Sequence, residues 1–86
     1  MKVLDNRVAV ITGAASGIGR SLALQLADAG CRLAISDVNE AGLKDVTEAL
    51  SAKGAEVHSE RLDVADRAAF HAYADRVHAH FGEVHL

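Results

Sequence analysis

The sequence lacks proline and contains a single cysteine, Cys31, in 86 residues. Without proline, nothing in the composition marks a linker between two domains. One cysteine excludes an internal disulfide framework and favours a reducing, cytoplasmic compartment. No apolar run approaches the ~18–20 residues that a membrane-spanning helix requires. The N-terminus, Met1 to Asn6, also lacks the apolar core of a signal peptide.

A surplus of positive charge is also absent, since the net charge is -3. This balance offers no basic surface for nucleic acid or for an acidic membrane, so neither is expected as a partner. Half of the residues are hydrophobic and 24% are charged, which excludes a disordered chain. The length allows at most one small domain.

Short apolar runs that predict strands alternate with amphipathic stretches that predict helices. Strands are expected over residues 8–11, 32–36, 56–62 and 83–86, the third being the most polar and therefore nearest the sheet edge. A glycine follows each predicted helix, where C-terminal caps are common. The predicted apolar stripes of the helices are Ile18, Leu22 and Leu26, with Ala23 and Ala27 beside them; Leu43, Val46 and Leu50; and Phe70, Tyr73, Val77 and Phe81.

This β-α-β-α-β-α-β order predicts an α/β fold whose parallel strands are joined by right-handed helical crossovers. It is the organisation of a doubly wound, Rossmann-type sheet that binds nucleotides. Alternation alone fits a flavodoxin-like unit equally well.

A glycine-rich turn lies between the first strand and the first helix, with the sequence TGAASGIG. Gly13 permits a sharp turn, Gly17 removes a side chain from the path of a ligand, and Gly19 permits close packing. The free amides at the helix start, including that of Ile18, can bind a pyrophosphate, and Ser16 can add a hydroxyl. The spacing G-x-x-x-G-x-G differs from the commoner G-x-G-x-x-G, and a glycine turn without a ligand remains an alternative.

Asp37 ends the second predicted strand, 18 residues after Gly19. An acid near this position accepts hydrogen bonds from a ribose diol in dinucleotide-binding folds. Its charge repels a 2′-phosphate, and neither Val38 nor Asn39 is basic, so NAD is favoured over NADP; Arg20 is the one nearby cation that argues for NADP. Alternatively, Asp37 or Asn39 caps the helix that begins near Glu40.

Asp63 and Val64 follow the third predicted strand. The carboxylate of Asp63 and the amide of Val64 could serve an adenine ring at the crevice where such sheets bind ligands. Alternatively, Asp63 or Asp66 caps the third helix.

Together these motifs resemble the short-chain dehydrogenase/reductase family over the whole chain. The turn matches that family's T-G-x-x-x-G-I-G signature, Asp37 matches its NAD-selecting acid, and Asp63-Val64 matches its adenine-contacting pair. The resemblance implies a Rossmann fold and an NAD-dependent oxidoreductase that moves hydride between an alcohol and a carbonyl carbon. It also implies a small-molecule substrate and a homodimer or homotetramer. A dinucleotide-binding module without chemistry, acting as a sensor or regulatory subunit, is the alternative.

The resemblance covers only the family's N-terminal third, so residues 1–86 are expected to be a partial dinucleotide-binding domain of a longer polypeptide. The family's catalytic serine and its tyrosine-lysine pair have no match here, and no catalytic residue is assigned. The single tyrosine, Tyr73, is followed four residues later by Val77 and is expected in the core. His71, Asp75 and His78 share a helix face that is interpreted as solvated, so no metal site is assigned. Cys31 is expected to be a small buried residue.

Overall fold

The computed structural model describes residues 7–82, in which three strands alternate with three helices. The elements are β1 (Val8–Thr12), α1 (Gly17–Asp28), β2 (Arg32–Asp37), α2 (Glu40–Ala52), β3 (Val57–Arg61) and α3 (Arg67–Phe81). The predicted α/β order is confirmed as far as α3. The fourth predicted strand, over residues 83–86, lies outside the described residues.

The strands form a parallel sheet in the order β1-β2-β3, so β2 lies between its two neighbours. Thr12 is the register partner of Ser36, and Asp37 is the partner of Arg61. The three strands therefore end at the same edge of the sheet. The amide of Leu62 donates to the carbonyl of Asp37 at 3.1 Å, which extends the pairing past the end of β3.

Helices cover both faces of the sheet, as a doubly wound fold requires. Side chains of β2 alternate between the faces, with Leu33 and Ile35 packing with α1 and α2. Ala34 points to the opposite face and packs with α3. The predicted Rossmann-type arrangement is therefore confirmed for the described residues.

The apolar stripe predicted for α2 is confirmed, because Leu43, Val46 and Leu50 are all buried against the sheet. Burying each such side chain stabilises the fold by roughly 1.5–3 kcal/mol.

The stripe predicted for α1 was wrong in part. Ile18 is 87% exposed and Leu22 is 43% exposed, whereas Ala23 and Ala27 are buried. Alanine is small enough to let the helix axis approach the sheet closely, and the buried face is rotated accordingly. Leu26 is partly buried and packs against the same core.

The α3 stripe is confirmed at Tyr73, Val77 and Phe81, which are buried, but Phe70 is 40% exposed. The helix begins after the carboxyl end of β3 and returns along the sheet, so that Phe81 lies 5.7 Å from the Arg32 guanidinium at the start of β2. Phe70 lies in the first turn of α3 and is more exposed than the rings of Tyr73 and Phe81 further along the helix.

The predicted helix ends are confirmed. Gly30, Gly54 and Gly82 follow the three helices with φ of 98°, 83° and 79°, the left-handed conformation that terminates helices.

Candidate functional site

The predicted site residues lie at the carboxyl edge of the sheet, where β1, β2 and β3 end. The turn after β1 is held to β2 by a hydrogen bond of 3.0 Å from the Ala14 amide to the Ser36 carbonyl. Open parallel sheets bind ligands in the crevice at this edge. The structure therefore brings the glycine turn and the end of β2 together, with the Asp63 segment on the neighbouring strand.

The three glycines of the turn have different roles. Gly13 and Gly17 have φ of +69° and +53°, which other residues rarely adopt. A Cβ on Gly17 would meet no neighbouring atom within 4 Å in the described part of the chain, whereas a Cβ on Gly19 would lie 2.1 Å from the Gly13 carbonyl oxygen. Gly19 therefore allows α1 to begin directly against the turn, and Gly17 keeps the space outside the turn open.

The start of α1 presents free hydrogen-bond donors. Within residues 7–82, the amides of Gly17, Ile18 and Gly19 donate to no protein acceptor. Ser16 occupies the N-cap position, but its side chain makes no capping hydrogen bond. The backbone amide of Ile18, not its side chain, is the group predicted to bind a pyrophosphate, so the exposure of the side chain is consistent with that prediction.

The other two helices begin differently. Asn39 caps α2 by accepting from the Gly42 amide at 3.0 Å, and Asp66 caps α3 by accepting from the Ala69 amide at 3.0 Å. The first turn of α1 also contains no acidic residue. The positive end of the α1 dipole is thus left without a side-chain acceptor, which is how an anion site at a helix start is built.

Asp37 is half-buried and lies directly beside the glycine turn. Its Oδ2 accepts from the Ala15 amide at 3.0 Å, and its Oδ1 accepts from the Asn39 amide at 2.9 Å. The helix cap proposed as an alternative role for Asp37 belongs to Asn39. An ionised carboxylate has about four acceptor positions, so two remain for other donors.

Asp63 is exposed and holds its own loop in a turn, because its Oδ1 accepts from the Ala65 amide at 3.0 Å. Of the two residues considered as the cap of α3, Asp66 is the one that caps it, and Asp63 does not. The amide of Val64 has no acceptor within the described range, and its side chain is 55% exposed.

Sequence reasoning missed the contacts that orient Asp37. A signal was present, because Asp37-Val38 and Asp63-Val64 are the same dipeptide at the ends of neighbouring strands. In both, the aspartate accepts from the amide two residues later, the pattern of an Asx turn. The hydrogen bond from the Ala15 amide to Asp37 is not indicated by any such local sequence pattern, because it depends on how the glycine turn packs.

Tyr73 is 1% exposed, which confirms its prediction as a core residue. Burial raises the pKa of its hydroxyl, and the nearby Ser36 hydroxyl opposes that effect. Neither hydroxyl has a hydrogen-bond partner of ordinary geometry in the part of the chain described. This pair lies under α3, away from solvent.

The predicted histidine face of α3 is exposed at His71, Asp75 and His78. Across residues 7–82, no three histidine, cysteine or acidic side chains are grouped to hold a metal ion. None of the helices in the same stretch combines the length and apolar character needed to cross a bilayer. Cys31 is buried as expected, and burial raises the pKa of its thiol.

Comparison with known proteins agrees with this geometry. SadH of Mycobacterium tuberculosis is 54% identical over 85 residues, which are 99% of this chain and 31% of SadH. The 1-deoxy-11-beta-hydroxypentalenate dehydrogenase of Streptomyces avermitilis is 41% identical over 81 residues, 94% of this chain and 30% of that protein. The chain thus spans about a third of the length of the curated relatives it matches.

A solved structure shows the same fold with a dinucleotide. The crystal structure of a short-chain dehydrogenase/reductase from Burkholderia phymatum in complex with NAD superposes with a TM-score of 0.92 at 45% identity. The match covers 99% of this chain and 30% of that one. The family model described as short chain dehydrogenase matches residues 7–86. The chain therefore belongs to the short-chain dehydrogenase/reductase family of oxidoreductases.

Proposed function

We propose that this chain binds the adenosine and diphosphate half of NAD in an NAD-dependent oxidoreductase that moves hydride between an alcohol and a carbonyl carbon. The observation that carries the proposal is the uncapped start of α1 beside the carboxylate of Asp37. The free amides at the start of α1 suit a diphosphate as donors. The Asp37 carboxylate, which accepts from the Ala15 amide, suits the neighbouring ribose as an acceptor.

The diphosphate would bind at the glycine turn. The amides of Gly17, Ile18 and Gly19 are its donors, and the hydroxyl of Ser16 adds another. The open space outside Gly17 admits the phosphate oxygens close to the backbone.

The adenosine ribose would bind Asp37. Its two remaining acceptor positions suit the 2′- and 3′-hydroxyls, and Gly13 completes the turn that places the carboxylate beside the diphosphate. A 2′-phosphate would meet the negative charge of Asp37 without a basic group at Val38 or Asn39. We therefore favour NAD over NADP as the cofactor.

The adenine would bind between the ends of β2 and β3. Val38 and Val64 are 53% and 55% exposed and follow the two neighbouring aspartates. Their apolar surface suits the faces of the ring, while Asp63 and the amide of Val64 suit its polar edge.

Bound NAD would supply the hydride acceptor, and these residues would orient it. From the family resemblance, we propose that residues other than these 86 carry the chemistry. The name of the Streptomyces relative, a dehydrogenase, favours an enzyme over a sensor or regulatory module. We also propose a small-molecule substrate, a cytoplasmic location consistent with a single cysteine, and a homo-oligomeric assembly.

Calorimetric titration of the intact protein with NAD and NADP tests the cofactor proposal. We expect tighter binding of NAD, and we expect Asp37→Asn to shift the NAD-to-NADP preference by about tenfold, since it removes the charge that repels the 2′-phosphate. Asp45→Asn, an exposed acid on α2, is the matched control and should leave the preference unchanged. Tighter NADP binding by the unmodified protein would refute the role of Asp37.

A measurement of turnover distinguishes an oxidoreductase from a dinucleotide-binding module without chemistry. Absorbance of NADH should appear when the intact protein is mixed with NAD and an alcohol from a panel of secondary alcohols and polyols. Binding of NAD without turnover across that panel would favour the regulatory alternative.

A further inference from the structure

We propose that Asn39 and Gly42, at the start of α2, are positioning residues that fix the carboxylate of Asp37 for recognition of the ribose diol. This inference rests on the proposed function and adds residues that touch neither the ribose nor the diphosphate. It follows from a closed ring of contacts among Asp37, Asn39, Gly42 and Ala15.

Asn39 links the carboxylate to the helix. Its amide donates to Asp37 Oδ1 at 2.9 Å, and its own side-chain oxygen accepts from the Gly42 amide at 3.0 Å. The second bond fixes Asn39 in an extended conformation with φ of -87° and ψ of 95°. The direction of the donor that holds Asp37 is therefore set by the cap of α2.

Gly42 closes the ring from the other side. A Cβ on Gly42 would lie 2.8 Å from the side-chain nitrogen of Asn39 and 3.0 Å from the Cβ of Ala15. Both separations are shorter than ordinary contacts, so a larger residue at position 42 would make the Asn39 side chain shift and press α2 away from the glycine turn. The Ala15 amide in turn donates to the other carboxylate oxygen, Asp37 Oδ2, at 3.0 Å.

Hydrogen bonds from two separate segments of the chain hold both oxygens of the Asp37 carboxylate. A carboxylate fixed in this way loses little rotational freedom when a diol binds, which favours affinity through preorganisation. The two unused acceptor positions keep a constant direction relative to the start of α1. Asn39 and Gly42 thus act on the cofactor through Asp37.

A helix cap that only stabilises α2 would also be lost in Asn39→Ala, so stability alone does not test the proposal. A double-mutant cycle between positions 39 and 37 does, because a residue acting through Asp37 has no effect on binding once that carboxylate is gone. The measurement is the Kd for NAD by calorimetry on the intact protein, with unfolding in urea followed in parallel.

Asn39→Ala removes the cap that orients the donor but keeps the backbone amide that donates to Asp37, so we expect it to weaken NAD binding by at most about fivefold, the value of one ordinary hydrogen bond. The same change in an Asp37→Ala background should leave the Kd for NAD unaltered. Asn39→Ser, which keeps a capping oxygen, should restore most of the affinity. Gly42→Ala should weaken binding with the same dependence on Asp37, although alanine favours a helix.

Equal weakening by Asn39→Ala in both backgrounds would overturn the proposal, as would loss of stability without any change in the Kd. In either case Asp37→Ala alone would still weaken binding, and the proposed function would stand. If the unmodified protein bound no NAD, both the function and this inference would fall.

Discussion

Replacing Gly19 by alanine tests how the glycine turn is built. The new Cβ would lie 2.1 Å from the Gly13 carbonyl oxygen and 2.8 Å from its carbon, whereas ordinary contacts begin near 3.4 Å. The atoms in the way belong to the backbone, so the first turn of α1 would have to move by about 1 Å.

The magnitude follows from two opposing effects. Alanine is favoured over glycine inside a helix by about 1 kcal/mol. Overpacking typically costs about 1–3 kcal/mol, and a clash between backbone segments lies at the upper end of that range. We therefore expect the free energy of unfolding to fall by about 2 kcal/mol net, together with weaker NAD binding because the amides are displaced.

Gly54 provides a matched control and Gly17 a contrasting case, since a Cβ on either meets no neighbouring atom of residues 7–82 within 4 Å. Gly54→Ala, at the far end of α2, should cost about 1 kcal/mol for its positive φ and leave NAD binding intact. Gly17→Ala should cost a similar amount and abolish tight NAD binding, because its Cβ enters the ligand space.

Urea unfolding and calorimetry measure both quantities for the three variants. If Gly19→Ala unfolded like the unmodified protein and bound NAD equally well, the close contact between α1 and the turn would be refuted. If Gly54→Ala lost NAD binding, backbone strain at a glycine would be enough to explain the loss of binding in the other variants. The inference that a Cβ at Gly17 enters the ligand space would then fail.

Three further outcomes follow from side chains away from the turn. The Arg76 guanidinium donates to the Glu60 carboxylate and is the main reason that the pKa of Glu60 lies below its usual value. A lowered pKa gives stability that is lost as the pH falls from the ordinary glutamate pKa through the lowered one, so Arg76→Gln should reduce stability at neutral pH, weaken the pH dependence of stability in that acid window and raise the Glu60 pKa in an NMR titration; an unchanged titration would contradict this. Tyr73→Phe should change the free energy of unfolding by less than about 1 kcal/mol, because the buried hydroxyl has no partner of ordinary geometry within residues 7–82, whereas Tyr73→Ala should cost about 3–5 kcal/mol. A large loss in the phenylalanine variant would show that the hydroxyl has an essential partner. The Cys31 thiol, buried and with a raised pKa, should react with a thiol reagent only as the protein unfolds in urea; rapid reaction of the native protein would refute its burial.

The sequence predicted the parts of the fold that depend on local pattern. The order of the elements along the chain and the α2 stripe follow from periodicity, and the helix ends follow from glycines that adopt positive φ. The buried face of α1 followed only in part, because leucine and isoleucine outweigh alanine in a hydrophobic pattern and the two alanines were placed beside the stripe, not at its centre. Close approach to the sheet instead selects the smaller Ala23 and Ala27.

The residues of the candidate site could be predicted from the sequence, but the hydrogen bonds and close contacts between them could not. Glycine spacing and the position of Asp37 identify which groups gather at the carboxyl edge of the sheet. The bond from Ala15 to Asp37, and the fit of Gly42 against Ala15, join residues 22 and 27 positions apart in the chain. Such contacts arise only once α1 and α2 pack side by side.

Within residues 7–82, β3 forms an outer margin of the sheet, and its composition bears on self-association. A strand at a margin offers unpaired backbone groups to any neighbouring molecule. This one has only five residues, and His58, Glu60 and Arg61 give it polar and charged side chains. A second molecule pairing along it would have to desolvate those groups, so the strand discourages stacking of copies into extended sheets.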